Sequence, residues 1–149
     1  MFPKAAANRE PPIKLPPAAV STLEGPRHLR ISVPALPPQL LSANMNPHWG
    51  TRHRAVSKLK SDMVLIGNNA RTLHGWATPA RAAIKVTFVY RMRRNRDVDN
   101  LLRLFKPFQD SLVQSKLVKA DDTDHLMVMS PDVRVSKEWS GMIIDITAI

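Results

Sequence analysis

The sequence predicts an α+β fold, a small mixed sheet of about four strands with two helices packed on it, in the order β-α-β-α-β-β. Two segments alternate apolar and polar residues at a spacing of two, residues 28–33 and 84–91. Two others repeat apolar residues at spacings of three and four, residues 51–72 and 100–114. Short apolar runs, "HLMVMS" and "SGMIIDITAI", supply the last two strands.

Taken in order, Leu29, Ile31 and Val33 alternate with His28, Arg30 and Ser32 and form the first strand. "PPQLLSANMNPHWG" reads as a loop from its Pro, Asn and Gly content. Val56, Leu59, Met63, Ile66 and Ala70 then line one face of a helix whose other face carries Arg52, Arg54, Lys58, Lys60 and Arg71. Ile84, Val86, Phe88 and Tyr90 alternate with Lys85, Thr87 and Arg91, a strand with one buried face. In the second helix Leu101, Phe105, Phe108 and Leu112 form the buried stripe. Pro107 falls inside that helix, where it removes a hydrogen bond and is expected to kink or restart it.

A chain of 149 residues, 44% of them hydrophobic, supports one domain with one core. Nine of its thirteen prolines fall within the first 38 residues, so residues 1–27 are expected to be a disordered tail and residues 28–149 the folded domain. The absence of cysteine excludes disulfides, zinc ribbons and thiol catalysis. No apolar stretch approaches a membrane span and no signal-peptide core is present, so the expectation is a soluble, cytoplasmic protein without a membrane partner.

The net charge of +10 is segregated along the chain. Residues 1–40 carry +3, residues 41–96 carry +10 and residues 97–149 carry −3. A basic segment of this density points to a polyanionic partner, nucleic acid first. The change of sign falls inside "RMRRNRDVDN", where Arg91, Arg93, Arg94 and Arg96 are followed at once by Asp97 and Asp99. Carboxylates two residues apart in extended chain share a side, about 6.5–7 Å apart, and can converge on a hard cation such as Mg²⁺. D-x-D alone is weak evidence for a metal, and the commoner reading of the same residues is a helix N-cap with arginine salt bridges. Arg103, Lys106 and Asp110 share a face of the following helix with Asp99, and "KADDTDH" adds Asp121 and Asp122.

The ordered set D-x-D-N at 97–100, a lysine four before an aspartate in "KPFQDSL" and D-D at 121–122 resembles the RusA-type crossover-junction endonucleases, including phage-borne relatives. "LSANMNPHW" at 41–49 resembles that family's Asn-containing loop, and the resemblance spans about residues 29–147. It implies a RusA-like fold, with Asp97, Asp99 and Asp122 as the metal-binding and catalytic acids and Lys106 as the catalytic cation. Asp121 is an uncertain partner, Asp110 sets the alignment, and Arg103 is the rival to Lys106. The resemblance further implies Mg²⁺ or Mn²⁺, a homodimer, and paired symmetric nicking of four-way (Holliday) DNA junctions in recombination, repair or phage DNA processing.

On that reading Arg52, Arg54, Lys58, Arg91, Arg93, Arg94 and Arg96 bind DNA, with Asn44, His48 and Trp49 as further candidates. The alternatives are a non-catalytic nucleic-acid-binding protein on the same fold and a nuclease for other branched DNA. An intact acidic set disfavours the pure binder, because acids gain nothing against phosphate.

Overall fold

Residues 19–38 and 48–149 are described by a computed structural model. Among them the elements are β1 (Val20–Gly25), β2 (His28–Val33), α1 (Trp49–His74), β3 (Ala82–Tyr90), α2 (Val98–Gln114), β4 (Leu126–Val128), β5 (Asp132–Val135) and β6 (Gly141–Ala148). The fold is mixed α+β as expected, and among the described residues two helices lie on a sheet of six strands rather than about four.

The strands run in the order β1-β2-β6-β3-β4, with β5 also paired to β3. β6 is antiparallel to both β2 and β3, so β2 and β3 run parallel. β4 and β5 are parallel to β3, flanking its first and second halves. α1 returns from the end of β2 to the start of β3, and α2 from the end of β3 to the start of β4. Both helices therefore begin at one end of the sheet, the end where β2 and β3 finish.

The core lies between the helices and one face of the sheet. Leu29, Ile31 and Val33 of β2, Ile84, Val86 and Phe88 of β3, and Met142, Ile144 and Ile146 of β6 meet Leu101, Phe105, Phe108 and Leu112 of α2 and Met63 and Ala70 of α1. The α2 stripe is the one its spacing predicts, and all four of its side chains are buried. Trp76 closes the core beyond α1 and donates its indole N–H to the Leu117 carbonyl at 3.0 Å.

α1 ends in a left-handed Gly75 (φ 58°), with Gly75 N–H reaching the Thr72 carbonyl and Trp76 N–H the Arg71 carbonyl, the hydrogen-bond pair that closes a helix C-terminus. Gly67 faces α2 closely: a Cβ there would lie 2.3 Å from Ser115 Oγ. α2 continues through Pro107 to Gln114 without a break. The Arg103 carbonyl that loses its partner to Pro107 belongs to an exposed residue, so water can serve it.

Three sequence expectations need amending. β1 lies within residues 1–27, so the boundary drawn at 27 cuts a β-hairpin whose strands pair from Val20↔Ser32 to Gly25↔His28. As an edge strand β1 is mostly exposed, and the proline-rich composition around it masks its alternation. β5 is four residues long, too short for a period to register. β3 is buried on both faces, because Trp139 and Ile143 cover Val89 on the side away from the helices.

Candidate functional site

The end of the sheet where the helices begin gathers the arginines of residues 91–96, Asp97, Asp99 and the start of α1, whereas Asp122 and His125 lie beside the start of β3. β3 ends at Tyr90 and the chain runs through residues 91–96 into α2, whose N-cap is Asp97. The Asp97 carboxylate accepts the Asp99 amide N–H at 3.4 Å, and Asp99 sits in the first helical turn, where the helix dipole favours a negative charge. Both aspartates are exposed. Neither pairs with an arginine among the described residues, so the salt-bridged turn is not formed.

The arginines go elsewhere. Arg91 donates to the Lys137 carbonyl at 2.9 Å. Arg96 folds back so that its guanidinium carbon lies 3.5 Å from the centre of the Tyr90 ring, and it donates to the Arg94 carbonyl at 3.1 Å. Arg93 and Arg94 are exposed and have no acidic partner among the described residues. At the same end of the sheet, α1 begins with His48 as N-cap, its Nδ1 accepting the Gly50 N–H at 3.1 Å. Trp49 is 77% exposed and stacks on His53 at 5.4 Å between ring centroids, so it is not a core residue. No acid occupies the first turn of α1. Arg52 and Arg54 follow, while Lys58 is already held by Asp62 at 3.1 Å.

Farther along α2 the acids and lysines pair with one another. Lys106 Nζ lies 2.9 Å from Asp110 and 2.7 Å from Asp121, and Lys60 of α1 reaches Asp110 at 3.2 Å. This chain of charges ties α1, α2 and the loop after α2. The Asp121 hydrogen bond, and then that of Asp110, raises the Lys106 pKa above its ordinary value, while Lys106 holds the Asp121 carboxyl below the usual range. Asp122 turns the other way. Its Oδ1 takes the backbone N–H groups of Asp124 and His125 and lies 2.6 Å from His125 Nδ1, and the His125 bond lowers its pKa.

Among the described residues no group of three His, Asp or Glu is placed to hold a metal ion. Of the expected ligands, Asp97 and Asp99 stand at the start of α2, while Asp122 is engaged with His125 in the turn before β4; Asp121, the uncertain partner, is bound to Lys106. These carboxylates are not gathered around one point as Mg²⁺ or Mn²⁺ coordination requires. Arg103 is exposed on α2, and Asn44 lies outside the described residues.

The Lys106–Asp121 pair is half exposed, so its expected contribution to stability is small, about 0.5–1 kcal/mol. Because the folded Asp121 pKa is lowered, that contribution is complete above the ordinary carboxylate value of about 4 and is lost as pH falls through the folded value. The raised Lys106 pKa works in reverse: its share is complete below about pH 10 and lost as pH rises further. Lys106→Gln is therefore expected to lower the melting temperature by about 1–3 °C at neutral pH and by progressively less in acid, read from thermal melts across pH.

No family model matches the chain, and no curated protein does. Among solved structures, two crystal structures of the periplasmic domain of Helicobacter pylori MotB are similar. The one of residues 78–256 is 12% identical, covering 88% of this chain and 82% of its own, with a TM-score of 0.45. The one of residues 90–256 is also 12% identical, covering 88% and 80%, with a TM-score of 0.43.

These comparisons correct the RusA-type assignment: no family model and no curated sequence supports it, and the two similar structures named above are periplasmic MotB domains and not junction resolvases. The metal-dependent endonuclease activity, the Holliday-junction substrate, the nucleic-acid-binding alternative on that fold and the paired dimer rested on that assignment and are withdrawn with it; the cytoplasmic placement, read only from the absence of a span and a signal-peptide core, is withdrawn as well. No MotB property takes their place, since identity and score this low carry no functional inference. Among the described residues no helix is long and apolar enough to cross a membrane.

Nothing in the sequence sets Tyr90 or Lys60 apart from its neighbours. Tyr90 reads only as the last apolar residue of a strand, and its contact with Arg96 forms across an irregular turn that no periodicity describes. Lys60 reads as one of several cations on α1, and its pairing with Asp110 depends on how the helices pack.

Proposed function

We propose that this domain is a binding module whose basic end engages an extended polyanion. The observation that supports it most is the state of residues 91–96. Four arginines stand directly before two aspartates, yet Arg91 and Arg96 make only backbone and ring contacts, and Arg93 and Arg94 face solvent with no acidic partner among the described residues. Guanidinium groups held apart from acids remain available for two-pronged contacts to sulfate, carboxylate or phosphate oxygens. The first turn of α1, with Arg52 and Arg54, begins at the same end of the sheet and adds to the positive field.

A linear polyanion without sequence, heparin, tests this reading by titration calorimetry at several salt concentrations. Four engaged arginines release roughly four counterions, so the logarithm of affinity is expected to fall with the logarithm of salt at a slope of about −3 to −4. A flat salt dependence, or no binding at low salt, contradicts the reading.

A further inference from the structure

We infer that Tyr90 is the positioning residue of this basic loop: its ring is the surface on which Arg96 is stacked, and that stacking sets the direction in which residues 91–96 present their charge. The inference rests on the polyanion-binding reading. Tyr90 is the last residue of β3, half-buried, packed against the core and stacked on Phe88 at 6.3 Å between ring centroids. The ring is thus fixed by the sheet and not by the loop. Arg96 lies over its outer face at 3.5 Å, close enough for a cation–π contact, and the same guanidinium holds the Arg94 carbonyl.

One side chain therefore closes the turn on itself. With Arg96 folded inward, Arg93 and Arg94 remain exposed and without acidic partners among the described residues. Burial pushes the Tyr90 phenol above its ordinary value, against the pull of Arg96 and then Arg94. The ring stays neutral at physiological pH and competes with no ligand anion for the arginines. Tyr90 touches no ligand on this account; it acts through the loop.

Heparin affinity and its salt slope, measured on the full chain, provide the test. Tyr90→Leu removes no charge, so a purely electrostatic surface would bind as before. The inference expects a loss of about two- to fivefold, the size of one cation–π contact, and a slope shallower by about one. Tyr90→Phe keeps the ring and is expected to bind as wild type. Arg96→Lys reads the same contact from the loop side without touching the core: it preserves charge but stacks poorly, and is expected to match Tyr90→Leu. Wild-type affinity in Arg96→Lys, or a Tyr90→Phe loss equal to that of Tyr90→Leu, overturns the inference while leaving the binding reading intact. Failure of the wild-type chain to bind heparin at all sinks both.

Discussion

Gly141→Ala is expected to lower the melting temperature by about 10 °C. Gly141 opens β6, the strand between β2 and β3, and a Cβ at this position would lie 2.1 Å from the Val33 carbonyl oxygen and 2.9 Å from the Trp139 ring. The first neighbour is backbone in a paired strand and cannot rotate away. Relief requires β2 and β6 to separate where Val33 pairs with Met142, or Trp139 to leave the cover of Val89 and Ile143. Overpacking a tight interior costs about 1–3 kcal/mol or more, and here backbone as well as side chains must shift, so about 3 kcal/mol or more is expected. At a few degrees per kcal/mol for a domain of this size, that is the stated shift. Thermal melts by circular dichroism read it directly, and a change under about 2 °C would contradict the strand packing described above.

Phe105→Ala is expected to cost about 3–5 kcal/mol. Phe105 is wholly buried on α2, stacked nearly parallel to Phe108 at 6.1 Å between centroids, and faces the sheet at the middle of the core. Truncation removes the ring's transfer free energy and leaves a cavity that rigid neighbours on two layers cannot fill. Chemical denaturation reads the loss. Arg103→Ala, two positions earlier on the exposed face of the same helix, is expected to stay within about 0.5 kcal/mol and separates burial from helix propensity.

Elements long enough to repeat their pattern were legible in the sequence. The 3,4 spacing of α1 and α2 and the alternation of β2 and β3 each pass through several periods, so both helices and these strands stand where expected, within two residues at most helix ends. β1 and β5 escaped because burial, not local pattern, defines them. Among the described residues β1 has one neighbour and keeps most of its side chains in water, and β5 completes the edge of β3 with four residues.

The candidate site was legible as a list and not as an arrangement. Spacing shows that Asp97 and Asp99 share a side of extended chain, but they stand at a helix start, where capping uses the first and the helix dipole accommodates the second. Spacing places Lys106 four before Asp110, and that pair forms. It could not show that Asp121 returns along α2 to the same lysine, nor that Asp122 turns to His125, because both depend on the path of residues 115–125. The motif order that resembles an endonuclease is therefore real in sequence, while in space its members cap, pair and close turns.

On the polyanion-binding proposal, location and not net charge makes residues 91–96 the binding surface. This is tested most directly by comparing two chains of equal net charge. One carries Gln in place of Arg91, Arg93, Arg94 and Arg96. The other carries Gln in place of Arg27, Arg81, Lys116 and Lys119, which lie at the opposite end of the sheet, where β2 and β3 begin and α2 finishes. The first chain is expected to lose at least about tenfold in heparin affinity and most of its salt dependence, and the second to bind within about twofold of wild type. Equal losses in the two chains, or wild-type affinity in the first, would contradict it.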